Sequence, residues 1–322
     1  MPLDAHVQRF LRMLAVSGIP DVATLEPQAA RAAFLRLAEV VDIKDVPVAR
    51  VENRTIPGPL GPVAIRIYSP LDVNDAALPG IVYFHGGAWV FCNLDTHDGL
   101  CRVLANESSA RVVAVDYHQA PEYKLPAIVE EGYAATLWLA EHARELGIEP
   151  HRLAIAGDSA GGTLAAVVCQ LVKQRSGPEL VLQLLLCPKT DVSRQSASRR
   201  AFGKGYFFDS AILDWALKHA CPPSLAYTDT RISPLLAVDL AGLPAAHVHT
   251  AEFDPLRDEG KAYADRLQNA GISVRYSCHA GMIHHFYGMA GIIPAARDAL
   301  KAIGLGVKEV LAAPQSASPS AA

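Results

Sequence analysis

The stretch Gly157-Asp158-Ser159-Ala160-Gly161-Gly162 carries the strongest chemical signal in the chain. It directly follows an apolar run, Leu153-Ala154-Ile155-Ala156, and directly opens a segment with helical patterning. A serine at the tip of a sharp strand-to-helix turn sits in a strained backbone with its hydroxyl exposed, as an activated nucleophile requires. The turn also aims the Ala160 amide, at the helix start, toward a reacting carbonyl. The bland alternative is a Gly-rich turn with an incidental serine, and the flanking strand and helix weigh against it. A second tract, His85-Gly86-Gly87-Ala88-Trp89, closes the apolar run Ile81–Phe84. Glycines there let backbone N–H groups approach a developing oxyanion, where each well-placed donor is worth on the order of 3 kcal/mol.

A nucleophilic serine needs a base, and the base needs an acid to orient it. Around a turn of this kind the chain order is serine, then Asp or Glu, then His. Asp254 ends the run Ala251-Glu252-Phe253, and Pro255 after it suits the start of a helix. Asp258 and Glu259 fall inside that helix and read as solvated or capping residues. Among the 12 histidines, position and order select His284 or His285, in Gly281-Met282-Ile283-His284-His285-Phe286.

The elements that must carry these residues follow from periodicity. Short apolar runs at Ile81–Phe84, Arg111–Asp116, Arg152–Ala156, Leu180–Leu186, Ala246–Glu252 and Val274–Cys278 read as parallel strands buried on both faces. They alternate with helical stretches near 97–107, 127–146, 161–174, 255–270 and 293–311, which predicts one doubly wound sheet. Before them come two helical patterns up to about Val41 and two antiparallel strands, Val51–Ile56 and Val63–Tyr68. The expected organisation is an N-terminal helical cap segment over residues 1–45 and a catalytic domain over 46–313. A cap insert at about 191–231 interrupts the domain, and a disordered tail covers 314–322.

Of the 322 residues, 51% are hydrophobic and 19% charged, with a formal net charge of -4, so neither nucleic acid nor an anionic membrane surface is an expected partner. Polar residues break the N-terminus, and no run reaches the ~18 apolar residues of a membrane span, so a cytoplasmic protein is expected. The six cysteines, with no C-x-x-C pair, read as buried free thiols rather than metal or redox motifs.

The chain resembles the bacterial hormone-sensitive-lipase family of α/β-hydrolase esterases and lipases, in the subgroup with the Gly-Asp-Ser-Ala-Gly form. Besides the tracts above, the resemblance rests on Asp95-Thr96-His97-Asp98, Asp116-Tyr117-His118-Gln119-Ala120-Pro121-Glu122, Ser233-Pro234-Leu235 and Asp254-Pro255-Leu256-Arg257-Asp258-Glu259. It implies an α/β-hydrolase fold: a mostly parallel eight-stranded sheet flanked by helices, with a helical cap built partly from the N-terminus. It implies a triad of Ser159, Asp254 and His284, and an oxyanion hole from the amides of Gly86 or Gly87, Ala88 and Ala160. Three departures stand out: Ala88 for a third Gly, His118 for an Arg, and His285 for the Gly after the base. The implied activity is hydrolysis of short-chain carboxylic esters through an acyl-enzyme, with no cofactor or metal. The same machinery serves amidases, deacetylases and lactonases, and some relatives on this fold are non-catalytic receptors. A small-molecule ester is the expected partner, with a homodimer left open. Trp89, Tyr206, Phe207, Phe208 and Phe34 are the candidates for substrate contact.

Overall fold

The protein is described by a computed structural model over residues 2–18, 21–71 and 77–313, so the tail expected at 314–322 lies outside the described residues. Two helices come first, α1 (Ala5–Val16) and α2 (Pro27–Val41). The Asp4 carboxylate accepts the amides of His6 and Val7 at the start of α1, and Pro27 occupies the first turn of α2. β1 (Arg50–Ile56) and β2 (Val63–Ser69) then form an antiparallel hairpin.

The alternating part follows: β3 (Leu78–Phe84), α3 (Asp98–Ser108), β4 (Arg111–Asp116), α4 (Ala127–Glu141), β5 (Ile148–Asp158), α5 (Ala160–Gln174) and β6 (Leu182–Leu186). A short α6 (Ala197–Phe202) and α7 (Ser210–Ala220) lead to β7 (Ala245–Phe253), α8 (Arg257–Asn269), β8 (Val274–Ile283) and α9 (Pro294–Ala312). All eight expected strands are present in one sheet, ordered β1-β2-β4-β3-β5-β6-β7-β8. β2 is antiparallel to both β1 and β4, and the rest of the sheet is parallel. β8 runs on to Ile283, beyond the expected end at Cys278, and α6 had no signal in the periodicity because it is barely more than a turn.

Side chains alternate across the sheet as the strand pleat requires. Ile81 and Tyr83 of β3 face a core built with α3 and α9, while Val82 and Phe84 face one built with α4, α5 and α8. Each fully buried aliphatic or aromatic side chain contributes about 1.5–3 kcal/mol, so both faces hold the strand ends firmly. Glu259 corrects the expectation of a solvated residue. It is buried, pairs with Lys189 at 2.7 Å and accepts the amide of Thr190, tying α8 to the chain leaving β6. A carboxylate buried this deeply is tolerated only because it is paired and hydrogen-bonded.

Candidate active site

Strand register brings the predicted residues together at the carboxyl ends of the strands, where ligands bind in sheets of this kind. Phe84 of β3 lies opposite Gly157 of β5, so the loop from His85 and the turn at Ser159 leave the sheet side by side. Phe253 of β7 lies opposite Ile283 of β8, and the next residue on each strand is Asp254 and His284. A register slip between Ala251 and Phe253 sets that pairing, a bulge at the place where side chains must be re-aimed.

Ser159 has φ 52° and ψ -117°, the strained conformation foreseen for the turn. Its amide bonds to the Leu186 carbonyl at 2.8 Å. The turn is so tight that a Cβ at Gly161 would stand 2.0 Å from the Phe84 carbonyl oxygen. Ser159 Oγ lies 3.0 Å from His284 Nε2, and His284 Nδ1 lies 2.8 Å from Asp254 Oδ2. All three side chains are buried. Asp254 Oδ1 accepts the Leu256 amide at 2.7 Å, which fixes the carboxylate, and Phe208 stacks on the His284 ring at 4.5 Å. The arrangement can move a proton from the hydroxyl to the imidazole and hold the resulting imidazolium.

Among the amides named for the oxyanion, Gly86 is corrected. Its N–H is already donated to Asp158 Oδ1 at 2.8 Å. Gly87 and Ala88 line the same small cavity as Ser159. Gly87 has φ +112°, and a Cβ there would lie 1.8 Å from the Phe91 carbonyl oxygen, so only glycine fits. Ala88 has φ 52°, so alanine occupies the left-handed region that the resembling family fills with glycine.

The cavity over Ser159 measures about 30 Å³ and is walled by Phe34, Phe91, Cys92, Phe207 and Phe208. Phe34 stacks on Phe91 with ring centres 4.0 Å apart. Trp89 and Tyr206 do not line it. Trp89 is buried in the core, and Tyr206 stacks on Phe253 at 5.7 Å. Phe91 was missed because its role depends on Phe34 arriving from α2, which no local pattern records. Cys92 reaches the cavity, where burial raises its thiol pKa, with the Asp158 carboxylate adding to the shift, which favours the protonated thiol. Larger clefts of about 470 and 450 Å³ adjoin the cavity through Cys92 and through Phe34 and Phe207.

Asp158, read at first only as a turn residue, is a hub. It accepts from Tyr83 Oη and Gly86 N, both at 2.8 Å, and stands against His97 and His285. Burial opposes its ionisation, but His97 and then His285 outweigh that and hold its carboxyl well below the usual range. Its histidine contacts are these two, whereas the His284 ring is held by Asp254.

Residues 81–288 match a family model described as the alpha/beta hydrolase fold. A carboxylic ester hydrolase of Mycobacterium tuberculosis, LipN, is 40% identical over 88% of this chain and 77% of its own length. An arylesterase of Saccharolobus solfataricus is 36% identical over 89% of this chain and 93% of its own. Among solved structures, an α/β-hydrolase enzyme from the metagenome of Lake Arreo superposes with a TM-score of 0.93 at 39% identity, covering 95% of this chain and 98% of that one. A thermostable esterase from Pseudomonas putida gives 0.92 at 37% identity, covering 97% and 99%. With this likeness along nearly the whole length, the chain belongs to the hormone-sensitive-lipase-like esterase family of α/β-hydrolases.

Proposed function

We propose that the chain is a carboxylic ester hydrolase in which Ser159 is the nucleophile, His284 the base and Asp254 the acid that orients it. The observation that carries this reading is the unbroken relay from Ser159 Oγ to His284 at 3.0 Å and from His284 to Asp254 at 2.8 Å. In the first step His284 Nε2 takes the hydroxyl proton as Oγ bonds to the ester carbonyl carbon. Negative charge then gathers on the carbonyl oxygen, facing the amides of Gly87, Ala88 and Ala160. The tetrahedral species collapses, the ester C–O bond breaks, and the alcohol leaves with the proton from His284. Water repeats the sequence on the acyl-enzyme and releases the acid.

Short acyl groups suit the walls. About 30 Å³ between Phe34, Phe91, Phe207 and Phe208 leaves room for little more than a methyl or ethyl group unless those rings move. α2 supplies Phe34, and the segment between α6 and α7 supplies Phe207 and Phe208, so both act as a cap in this reading. No helix among the described residues is long and apolar enough to cross a membrane. The test is a panel of p-nitrophenyl esters and anilides of rising acyl length, run on the wild type and Ser159→Ala. Hydrolysis of the short esters, abolished in Ser159→Ala, is expected. Cleavage of the amides alone, or retention of more than a few per cent of turnover in the variant, would overturn it.

A further inference from the structure

The geometry points to a divalent transition-metal site on His97, Asp158 and His285, one residue from Ser159, at which Zn²⁺ binds as an inhibitor. One ligand atom from each residue lies within 4.8 Å of the others. His97 Nε2 is 3.1 Å from Asp158 Oδ1, and His285 Nδ1 is 3.2 Å from Asp158 Oδ2. Ligands each about 2.0–2.1 Å from a shared zinc ion stand roughly 3.3 Å apart, and each histidine nitrogen stands at about that distance from one oxygen of the Asp158 carboxylate.

The state of His97 makes the case. Its Nε2 is buried and makes no hydrogen bond, although a carboxylate oxygen stands 3.1 Å away. The ring axis therefore passes beside that oxygen, as it does when nitrogen and oxygen both point at an ion between them. On its other side, Nδ1 lies 2.9 Å from Thr96 Oγ1. Thr96 Oγ1 also lies 2.8 Å from the Asn93 carbonyl, and with its hydroxyl proton directed there Nδ1–H is the donor to Thr96. That leaves a lone pair on Nε2, the tautomer a metal requires. A lone pair and a carboxylate facing each other in the interior are satisfied together by a cation. The Tyr83 hydroxyl and the Gly86 amide both donate to Asp158 Oδ1, the oxygen beside His97, and fix the carboxylate's position.

Two imidazole nitrogens and a carboxylate select zinc, cobalt, nickel or copper over magnesium or calcium, which take oxygen ligands. An ion enters from the cavity over Ser159, which His285 lines with its side chain 20% exposed. The ion's remaining ligand, a water, then occupies the cavity of about 30 Å³ where an acyl group must go.

The inhibition rests on the ester-hydrolase reading, whereas the binding does not. A rival set, Cys187, Asp254 and His284, shares residues with the triad, so the experiment must separate the two. Protein freed of metal with EDTA is titrated with Zn²⁺ by calorimetry and with Co²⁺ by visible absorption, in wild type and His285→Gly. Glycine accepts the φ of 59° at this position, and His285→Asn, which also tolerates it, is the second variant. We expect one ion per chain at micromolar affinity, weakened at least about tenfold in both variants. Zn²⁺ should slow hydrolysis of a short p-nitrophenyl ester in wild type, EDTA should restore it, and each variant should resist relative to its own metal-free rate. No binding to the wild type, or equal binding and inhibition in wild type and variants, would overturn the site. If the protein hydrolyses no ester, the Co²⁺ and calorimetric titrations still decide it.

Discussion

At the scale of single residues, adjacent histidines have different work because different carboxylates hold them. His284 points Nε2 at Ser159 and Nδ1 at Asp254, whereas His285 turns to Asp158. His284→Ala should therefore lose several orders of magnitude in kcat/KM, as members of such a relay do. His285→Ala should stay within roughly tenfold of the wild type, the size of effect typical of a supporting contact. Steady-state kinetics on one short ester decides this, and the reverse ranking would move the base one residue along. Phe34 offers a second check. It stacks on Phe91 and closes the cavity from α2. Phe34→Ala should shift the acyl preference toward longer chains, read as the ratio of kcat/KM for octanoyl and acetyl esters. An unchanged ratio would place the acyl group elsewhere.

At the scale of elements, the β7–β8 edge carries a built-in acid sensitivity. Burial lowers His247 and His279 each to about 4, and lowers His249 well below its usual value. Between the unfolded value of about 6.5 and about 4, the unfolded chain binds protons that the folded chain refuses. Stability contributed by these histidines is thus intact above about pH 6.5 and falls as the pH drops toward 4. Asp42, raised to about 6 by burial, and Glu259, also raised by burial, act in the opposite sense, while His97 and His219, lowered by burial, add to the three. The urea midpoint should be lower at pH 4.5 than at pH 7.5, and an equal or higher midpoint at pH 4.5 would contradict it. Periodicity could not show this. The strands were legible because parallel strands are apolar on both faces, but His247 and His249 interrupt that texture without revealing whether they are satisfied. Tyr206 failed as a substrate contact for a related reason. It stands next to Phe207, which does line the cavity, yet its ring stacks on Phe253. Which neighbouring aromatic faces a site is decided by packing between distant segments.

At the scale of the whole molecule, the sheet acts as an alignment device. Ser159, Asp254 and His284 stand far apart in the chain, and each follows directly on a strand end. Their order and their strand-turn-helix setting were readable because the chemistry restricts them to those places. The Asp158 hub was not, since it forms only when β3, β5, the stretch before α3 and the end of β8 converge. The most direct test is to react the protein with a small p-nitrophenyl phosphonate, then locate the adduct by peptide mass spectrometry while following residual ester hydrolysis. A single adduct on Ser159, formed in step with loss of activity and slowed by orders of magnitude in His284→Ala, is the expected result. Full inactivation with the adduct on another residue, or continued hydrolysis by protein fully modified at Ser159, would contradict the assignment of Ser159 as the nucleophile.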